Sequence, residues 1–281
     1  MKISKTIPSL KQSTKQWQLD GQRIAFVPTM GHLHAGHIVL INQARLLCDK
    51  VVVSIFVNPL QFNEKSDFDG YPKTLDADQK KLITAQTDLL FLPDSEMMYA
   101  NGQLATTKIC VPEITQELEG EHRPGHFDGV STVVNKLFNL VQPDIAFFGE
   151  KDFQQLLLIR KMVEDLNMPV EIQSVATCRE ADGLAMSSRN SRLSDEQRGL
   201  APKLYAALQQ VSRQVLQGEQ ALSELEVQAK NELQSYGFEV EYISVRDRLN
   251  LKISDKKSTN RLVLAAARLG EVRLIDNLII D

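Results

Sequence analysis

Ile24-Ala25-Phe26-Val27-Pro28-Thr29-Met30-Gly31-His32-Leu33-His34-Ala35-Gly36-His37 runs an apolar, β-prone tetrad straight into a loop of glycines and histidines. A helical stretch from about 36 to 48 follows at once. An all-apolar strand feeding a helix is the repeating unit of a parallel sheet covered on both faces. The alternation continues outward. Residues 51–57 form a second, β-branched strand that ends at Asn58-Pro59, and a polar helix over about 72–86 leads to a strand at 88–92. Val130, Val133, Val134, Leu137 and Val141 fall on one face of an amphipathic helix. Residues 145–148 read as a strand, Gly149 as a turn, and Leu156, Ile159, Val163 and Leu166 as the buried side of a helix before a strand at 169–175. Residues 1–177 therefore read as a doubly wound, Rossmann-like α/β domain.

Past about residue 178 the character changes. Ser194-Asp195-Glu196-Gln197 has the form of a capping box. Leu200, Leu204, Leu208, Val211 and Val215 continue the helical pattern to Gly218, with Pro202 either kinking it or marking a second start. A second helix spans about 221–236. Phe238, Val240 and Tyr242 alternate with Glu239 and Glu241 as a half-buried strand, and 261–267 and 271–275 complete a small antiparallel sheet. Residues 178–281 read as a smaller C-terminal α+β domain.

The 281 residues are 43% hydrophobic and 24% charged, which excludes a disordered or fibrous chain. A formal charge of −4, from 32 basic against 36 acidic side chains, argues against nucleic acid or an anionic membrane as the main partner. No stretch approaches the roughly 18 apolar residues of a membrane span. The first 22 residues carry lysines but no apolar core of a secretory signal. Cys48, Cys110 and Cys178 are odd in number and far apart, which speaks against a disulfide framework. The expectation is a reduced, cytoplasmic enzyme.

Three segments lie where an α/β plan places ligands, past the carboxyl ends of strands. In the first, His34-Ala35-Gly36-His37 has the form H-x-G-H at a helix start, where free N–H groups and imidazoles suit phosphate oxygens. Three of the chain's five histidines fall within 32–37, so an ordinary turn histidine is a poor account of the cluster. Zinc is a rival use of His32, His34 and His37, but the loop offers no thiolate or carboxylate to complete a site. The second segment is Gly149-Glu150-Lys151-Asp152, with Gln155 one helical turn on. The third is Met186-Ser187-Ser188-Arg189-Asn190 at the domain junction, whose two hydroxyls and guanidinium suit a phosphate clamp, though a plain hinge would have the same composition. Neither a Walker A sequence nor a G-x-G-x-x-G is present. Asp67, Asp69, Asp76 and Asp78 read as the solvated face of a charged helix, and no metal ligand is assigned.

H-x-G-H followed by M-S-S-R-N resembles the paired signatures of the class I synthetase-like nucleotidyltransferases. The wider run is more specific. Residues 28–37, 56–62, 123–127, 129–140, 148–155 and 183–190 resemble, in order, the motifs of the pantothenate synthetase (pantoate–β-alanine ligase) family. Cys178 stands where a small aliphatic residue is typical.

The resemblance implies ATP-dependent ligation of (R)-pantoate and β-alanine through a pantoyl-adenylate, with Mg²⁺, in a cytoplasmic homodimer. It also implies that Met30, Gly31, His32, Leu33, His34, Ala35, Gly36, His37, Gly149, Glu150, Lys151, Asp152, Cys178, Met186, Ser187, Ser188 and Arg189 frame ATP. His37, His34, Lys151 and Arg189 would carry catalysis, Gln61, Gln155 and Asn58 would bind pantoate, and Gln61 would also meet β-alanine. The C-terminal domain would act as a lid. Another carboxylate-activating adenylyltransferase of the same superfamily is the alternative.

Overall fold

The computed structural model describes residues 1–218, 221–254 and 258–281. They fall into two compact units: Met1–Glu150 with Leu158–Ala176, and Lys151–Leu157 with Thr177–Asp281.

The first unit is built on six parallel strands, β1 (Lys2–Ser4), β2 (Ile24–Thr29), β3 (Lys50–Ile55), β4 (Leu89–Phe91), β5 (Ile145–Gly149) and β6 (Glu171–Val175). Their spatial order is β1-β4-β3-β2-β5-β6. The chain winds from β2 outward through β3 and β4, then returns to the other side of β2 as β5 and β6. The direction of winding thus reverses between β2 and β5, and such a switch point opens a crevice beyond the strand carboxyl ends.

Sequence explains why these strands sit centrally. Val51, Val52 and Val53 alternate faces along β3, yet all three are fully buried, because helices cover the sheet on both sides. Ala25, Val27, Val51, Val53 and Leu90 share one core with Ile41 and Ala44 of the helix Ala35–Leu47. The helix His126–Val141 starts four residues ahead of its apolar stripe and is the most buried of this unit. The sequence reading leaves out the short edge strand β1 and the helix Ile7–Leu19, although Thr6 caps that helix and Pro8 stands in its first turn.

The second unit has an antiparallel sheet, β7 (Glu239–Asp247), β8 (Arg261–Leu269) and β9 (Val272–Ile280), with β8 in the middle. Helices Lys203–Gln217 and Leu222–Ser235 bury Leu204, Leu208, Val211, Leu225 and Leu233 against Val263, Ala265 and Ala267 of β8. Pro202 resolves as a second start. The capping-box helix ends at Leu200, and a separate helix begins at Lys203.

Candidate active site

The loop after β2 is held from below by one carboxylate. Asp78 lies on the helix Leu75–Thr84 and is 1% exposed. Its two oxygens accept the backbone N–H groups of His32 at 2.9 Å and Leu33 at 2.8 Å, and Thr74 Oγ1 donates to it at 3.2 Å. Lys81 Nζ donates to the carbonyl of Leu33. The expectation of a solvated acidic face fails here: the field of two oriented N–H groups replaces water around Asp78. Gly31, at φ +85°, makes the turn, and a Cβ there would come within 3.0 Å of Ile55 Cγ2. Thr29 Oγ1 donates to the Ser54 carbonyl at 2.7 Å and accepts the Gly31 N–H at 3.3 Å, which ties the loop's start to β3.

His34 caps the helix Ala35–Leu47, and His37 sits at its third position. The His34 backbone N–H donates to His37 Nδ1 at 3.2 Å, and the two rings lie 4.0 Å apart between centroids. An imidazole nitrogen accepts only without its proton, so in the neutral ring the hydrogen is on Nε2. The H-x-G-H spacing thus sets the tautomer of its second histidine and puts that ring at a helix N-terminus, where the backbone already favours anions.

A second cluster lies under the same sheet edge. Asn58 follows β3 and is 1% exposed. Its Oδ1 accepts Tyr99 Oη at 2.6 Å and the Leu60 N–H at 3.3 Å. Its Nδ2 donates to Gln61 Oε1 at 3.0 Å and to the Gly129 carbonyl at 3.1 Å. Both donors and both acceptor positions of the amide are therefore engaged within the protein. Gln61, with its oxygen fixed by Asn58, turns Nε2 toward Met30 Sδ at 3.1 Å. Burial pushes the Tyr99 phenol well above its ordinary pKa, so it remains a donor.

The backbone of Gln61 is fixed as well. Its carbonyl accepts from His126 Nδ1 at 2.7 Å and Arg123 Nη2 at 3.3 Å. Gly129 lets the helix His126–Val141 lie directly on this segment, because a Cβ there would fall 2.3 Å from the Leu60 carbonyl oxygen.

In the second unit, Lys151 and Ser187 line one small pocket with Asn190, Leu184 and Asp276. Lys151 is part of the turn Glu150–Asp152 and lies 3.8 Å from the Asp152 carboxylate. Ser187 caps the turn Ser188–Arg192 by accepting the Arg189 N–H at 3.2 Å. Ser188 is buried. Asn190 Nδ2 holds the hairpin before it through the Ala185 carbonyl at 3.1 Å and Glu180 Oε1 at 3.2 Å. Cys178 accepts the Met186 N–H on its carbonyl at 2.9 Å, so its contribution here runs through backbone. Gln155 is half-buried on the helix Phe153–Asp165.

The structure thus gathers Met30, Asn58 and Gln61 in one place, and Lys151 and Ser187 in another. Sequence reasoning missed Asp78, Tyr99, Gly129 and His126 as parts of the site. Among the described residues, no three histidine, cysteine or acidic side chains group as a metal cluster.

Comparison with known proteins adds the family. The family model described as pantoate-beta-alanine ligase matches residues 2–279. A pantothenate synthetase of Azotobacter vinelandii is 50% identical over 277 residues, covering 99% of this chain and 98% of that protein. One from Alcanivorax borkumensis is 50% identical over 278 residues, covering 99% and 97%. A crystal structure of pantothenate synthetase from Thermus thermophilus superposes with TM-score 0.92 at 42% identity, covering 100% and 99% of the two chains. A pantoate-beta-alanine ligase from Francisella tularensis, complexed with beta-gamma ATP and beta-alanine, gives TM-score 0.83 at 36% identity, covering 99% and 97%.

Proposed function

The chain belongs to the pantoate–β-alanine ligase family, and from that premise we propose how its residues divide the work. The enzyme joins (R)-pantoate to β-alanine, converting ATP to AMP and diphosphate through a pantoyl-adenylate. In the first step a pantoate carboxylate oxygen attacks the α-phosphorus, and the bond to the β-phosphate oxygen breaks. A carboxylate needs no base for this attack. The demand falls on stabilising charge on the phosphoryl oxygens and on the departing diphosphate.

His37 Nε2–H, with His34 beside it at the helix N-terminus, supplies donors to the phosphoryl oxygens. Met30 through His37 and Gly149 through Asp152 frame the nucleotide, with Cys178 and Met186 contributing backbone. Lys151, Ser187, Ser188 and Arg189 hold the β- and γ-phosphates. The observation that carries this assignment is that Lys151 and Ser187 line one pocket although they come from separate sequence segments. Mg²⁺ brought in with ATP would supply charge neutralisation at the triphosphate, beside Lys151, Ser187, Ser188 and Arg189. Asp78 is a poor fit as its ligand, since it is 1% exposed and its two oxygens already accept the His32 and Leu33 N–H groups and the Thr74 hydroxyl.

Gln61 binds pantoate and then meets β-alanine, whose amine attacks the acyl carbon; the C–N bond forms, AMP leaves and the amine loses a proton. Gln155 is the second amide toward pantoate, and Asn58 serves by orienting Gln61. The C-terminal unit acts as a lid that keeps water from the acyl-adenylate. Cytoplasmic location and a homodimer complete the proposal.

The test is a split assay. Pantoate alone should support exchange of labelled diphosphate into ATP, and AMP should accumulate only when β-alanine is added. AMP release at full rate without the amine, or exchange without pantoate, would overturn the reading.

A further inference from the structure

Two consecutive residues of the C-terminal strand, Asp276 and Asn277, are polar, lie at 4% and 6% exposure, and have no part in the chemistry above. Burial of an acid and an amide side by side is costly unless each is engaged. Both are.

Asn277 Nδ2 donates to the carbonyl of Lys151 at 2.9 Å, across a sequence separation of 126 residues. Asp276 takes Arg179 in a fork, at 2.6 Å to Nη1 and 3.0 Å to Nη2. The Arg179 guanidinium also donates to the carbonyls of Gly183 at 3.1 Å and Asn277 at 3.1 Å, and stacks 3.6 Å above the centre of the Tyr205 ring. Arg179 pairs with Ala185 in a small antiparallel bridge, so it braces the hairpin that delivers Ser187. Gly183 sits at φ +92° under the same tyrosine, where a Cβ would approach Cδ1 to 2.8 Å. The Asp276 N-terminal neighbour, Ile275, lines the Lys151–Ser187 pocket together with Asp276 itself.

We propose that Asp276 and Asn277 are positioning residues for ATP: Asn277 fixes the main chain under Lys151, and Asp276, through Arg179, fixes the hairpin that presents Ser187. The middle of one strand thereby sets the spacing between two phosphate-binding segments that are remote in sequence. A bidentate arginine suits this task, because its planar fork constrains direction as well as distance. The inference rests on the phosphate role assigned to Lys151 and Ser187 above.

The two halves of the reaction separate positioning from general support. Adenylation handles a triphosphate; the transfer of a preformed pantoyl group to β-alanine does not. The experiment compares Asn277→Asp, Asn277→Ser, Arg179→Lys and Lys151→Ala. Each is assayed for pantoate-dependent ATP–diphosphate exchange, for pantothenate formation from supplied pantoyl-adenylate and β-alanine, and for melting temperature.

Asn277→Asp, which points a carboxylate at a carbonyl, should lower kcat/KM for ATP in exchange by about tenfold or more, or about 1.4 kcal/mol in the barrier, while pantoate KM and the second half-reaction stay within about twofold. Asn277→Ser, which keeps a shorter donor, should recover part of the loss, and Arg179→Lys should repeat the ATP-specific defect. Unchanged exchange in both Asn277→Asp and Arg179→Lys would overturn the inference, as would a parallel fall of both half-reactions with the melting temperature. Should Asn277→Asp not fold, Asn277→Ser and Arg179→Lys decide by the same criteria. If Lys151→Ala itself leaves exchange intact, the phosphate assignment fails first and the inference with it. If Lys151→Ala abolishes exchange and the positioning variants do not disturb it, the inference alone falls.

Discussion

Tyr99 gives its phenolic hydrogen to Asn58 Oδ1 at 2.6 Å, across 41 residues of sequence, and that bond, with the Leu60 N–H and the Gly129 carbonyl, decides which way the next amide faces. With its oxygen occupied by Tyr99 and the Leu60 N–H, Asn58 can offer Gln61 only its NH₂ group, so Gln61 must answer with Oε1 and turn its own NH₂ toward Met30. A phenol two hydrogen bonds removed from Gln61 thus sets the polarity of the residue proposed to read pantoate.

Tyr99→Phe removes the donor while keeping the ring that packs on Phe56. We expect a stability loss of about 0.5–1.5 kcal/mol from the lost hydrogen bond, since the Leu60 N–H still donates to the amide oxygen, together with a several-fold rise in pantoate KM at nearly constant ATP KM. The fold raises this phenol's pKa, so the neutral form is favoured on folding. That contribution is whole below the unfolded value of about 10 and is lost as pH climbs from there toward the folded value. Urea midpoints measured near neutrality and above about pH 10 should converge for wild type and Tyr99→Phe, because only wild type has this term to lose. Parallel pH curves would refute the coupling.

Asp78→Asn leaves one oxygen for two N–H groups and aims an NH₂ at the other. The His32–Leu33 backbone then carries an unsatisfied donor beside the His34 cap. Destabilisation of about 2–4 kcal/mol and an adenylation rate lowered by about tenfold or more are expected. Stopped-flow adenylation with saturating ATP and pantoate is the measurement. A normal rate in a destabilised variant would confine Asp78 to folding.

At Gly129 two effects compete. Alanine at an ordinary helical site gains about 1 kcal/mol over glycine. Here its Cβ would meet the Leu60 carbonyl oxygen at 2.3 Å and Gln61 N at 2.8 Å, both backbone atoms with no rotamer to give way. Overpacking of this kind costs about 1–3 kcal/mol and shifts the helix. Gly129→Ala should therefore destabilise, displace Gln61 and raise pantoate KM. A stabilised variant with wild-type KM would show that the helix retreats without moving Gln61.

What the sequence makes legible is what lies close along the chain. The β-branched run at 51–53, the H-x-G-H helix start and the capping box at 194–197 are local, and the structure has all of them. β1 offers only Ile3 as an apolar residue in a three-residue strand, too little for periodicity to register. Asp78 is misread for a physical reason: beside Asp76, Lys80 and Lys81 its helix looks like a charged surface, and only the fold brings the loop from 46 residues away to claim its oxygens. Asn58 before Pro59 does cap a turn, as a local reading allows, but its further partners, Tyr99 and Gly129, come from other elements. Nothing in the run around Tyr99 marks it as more than core.

The tautomer of His37 can be tested by splitting its two nitrogens between two amides. Asparagine places a carbonyl oxygen where Nδ1 stands, so His37→Asn keeps an acceptor for the His34 N–H and loses the Nε2 donor. Glutamine places its terminal group where Nε2 stands, so His37→Gln keeps a donor and loses the cap. If Nε2–H serves the phosphoryl oxygens, His37→Asn should melt near wild type while adenylation falls by about 10²-fold or more. His37→Gln should lose about 1 kcal/mol of stability, as capping variants do, yet retain the larger share of adenylation. The reverse ranking, with the asparagine variant the more active, would place the working proton on Nδ1 and contradict the bond that His34 donates to it.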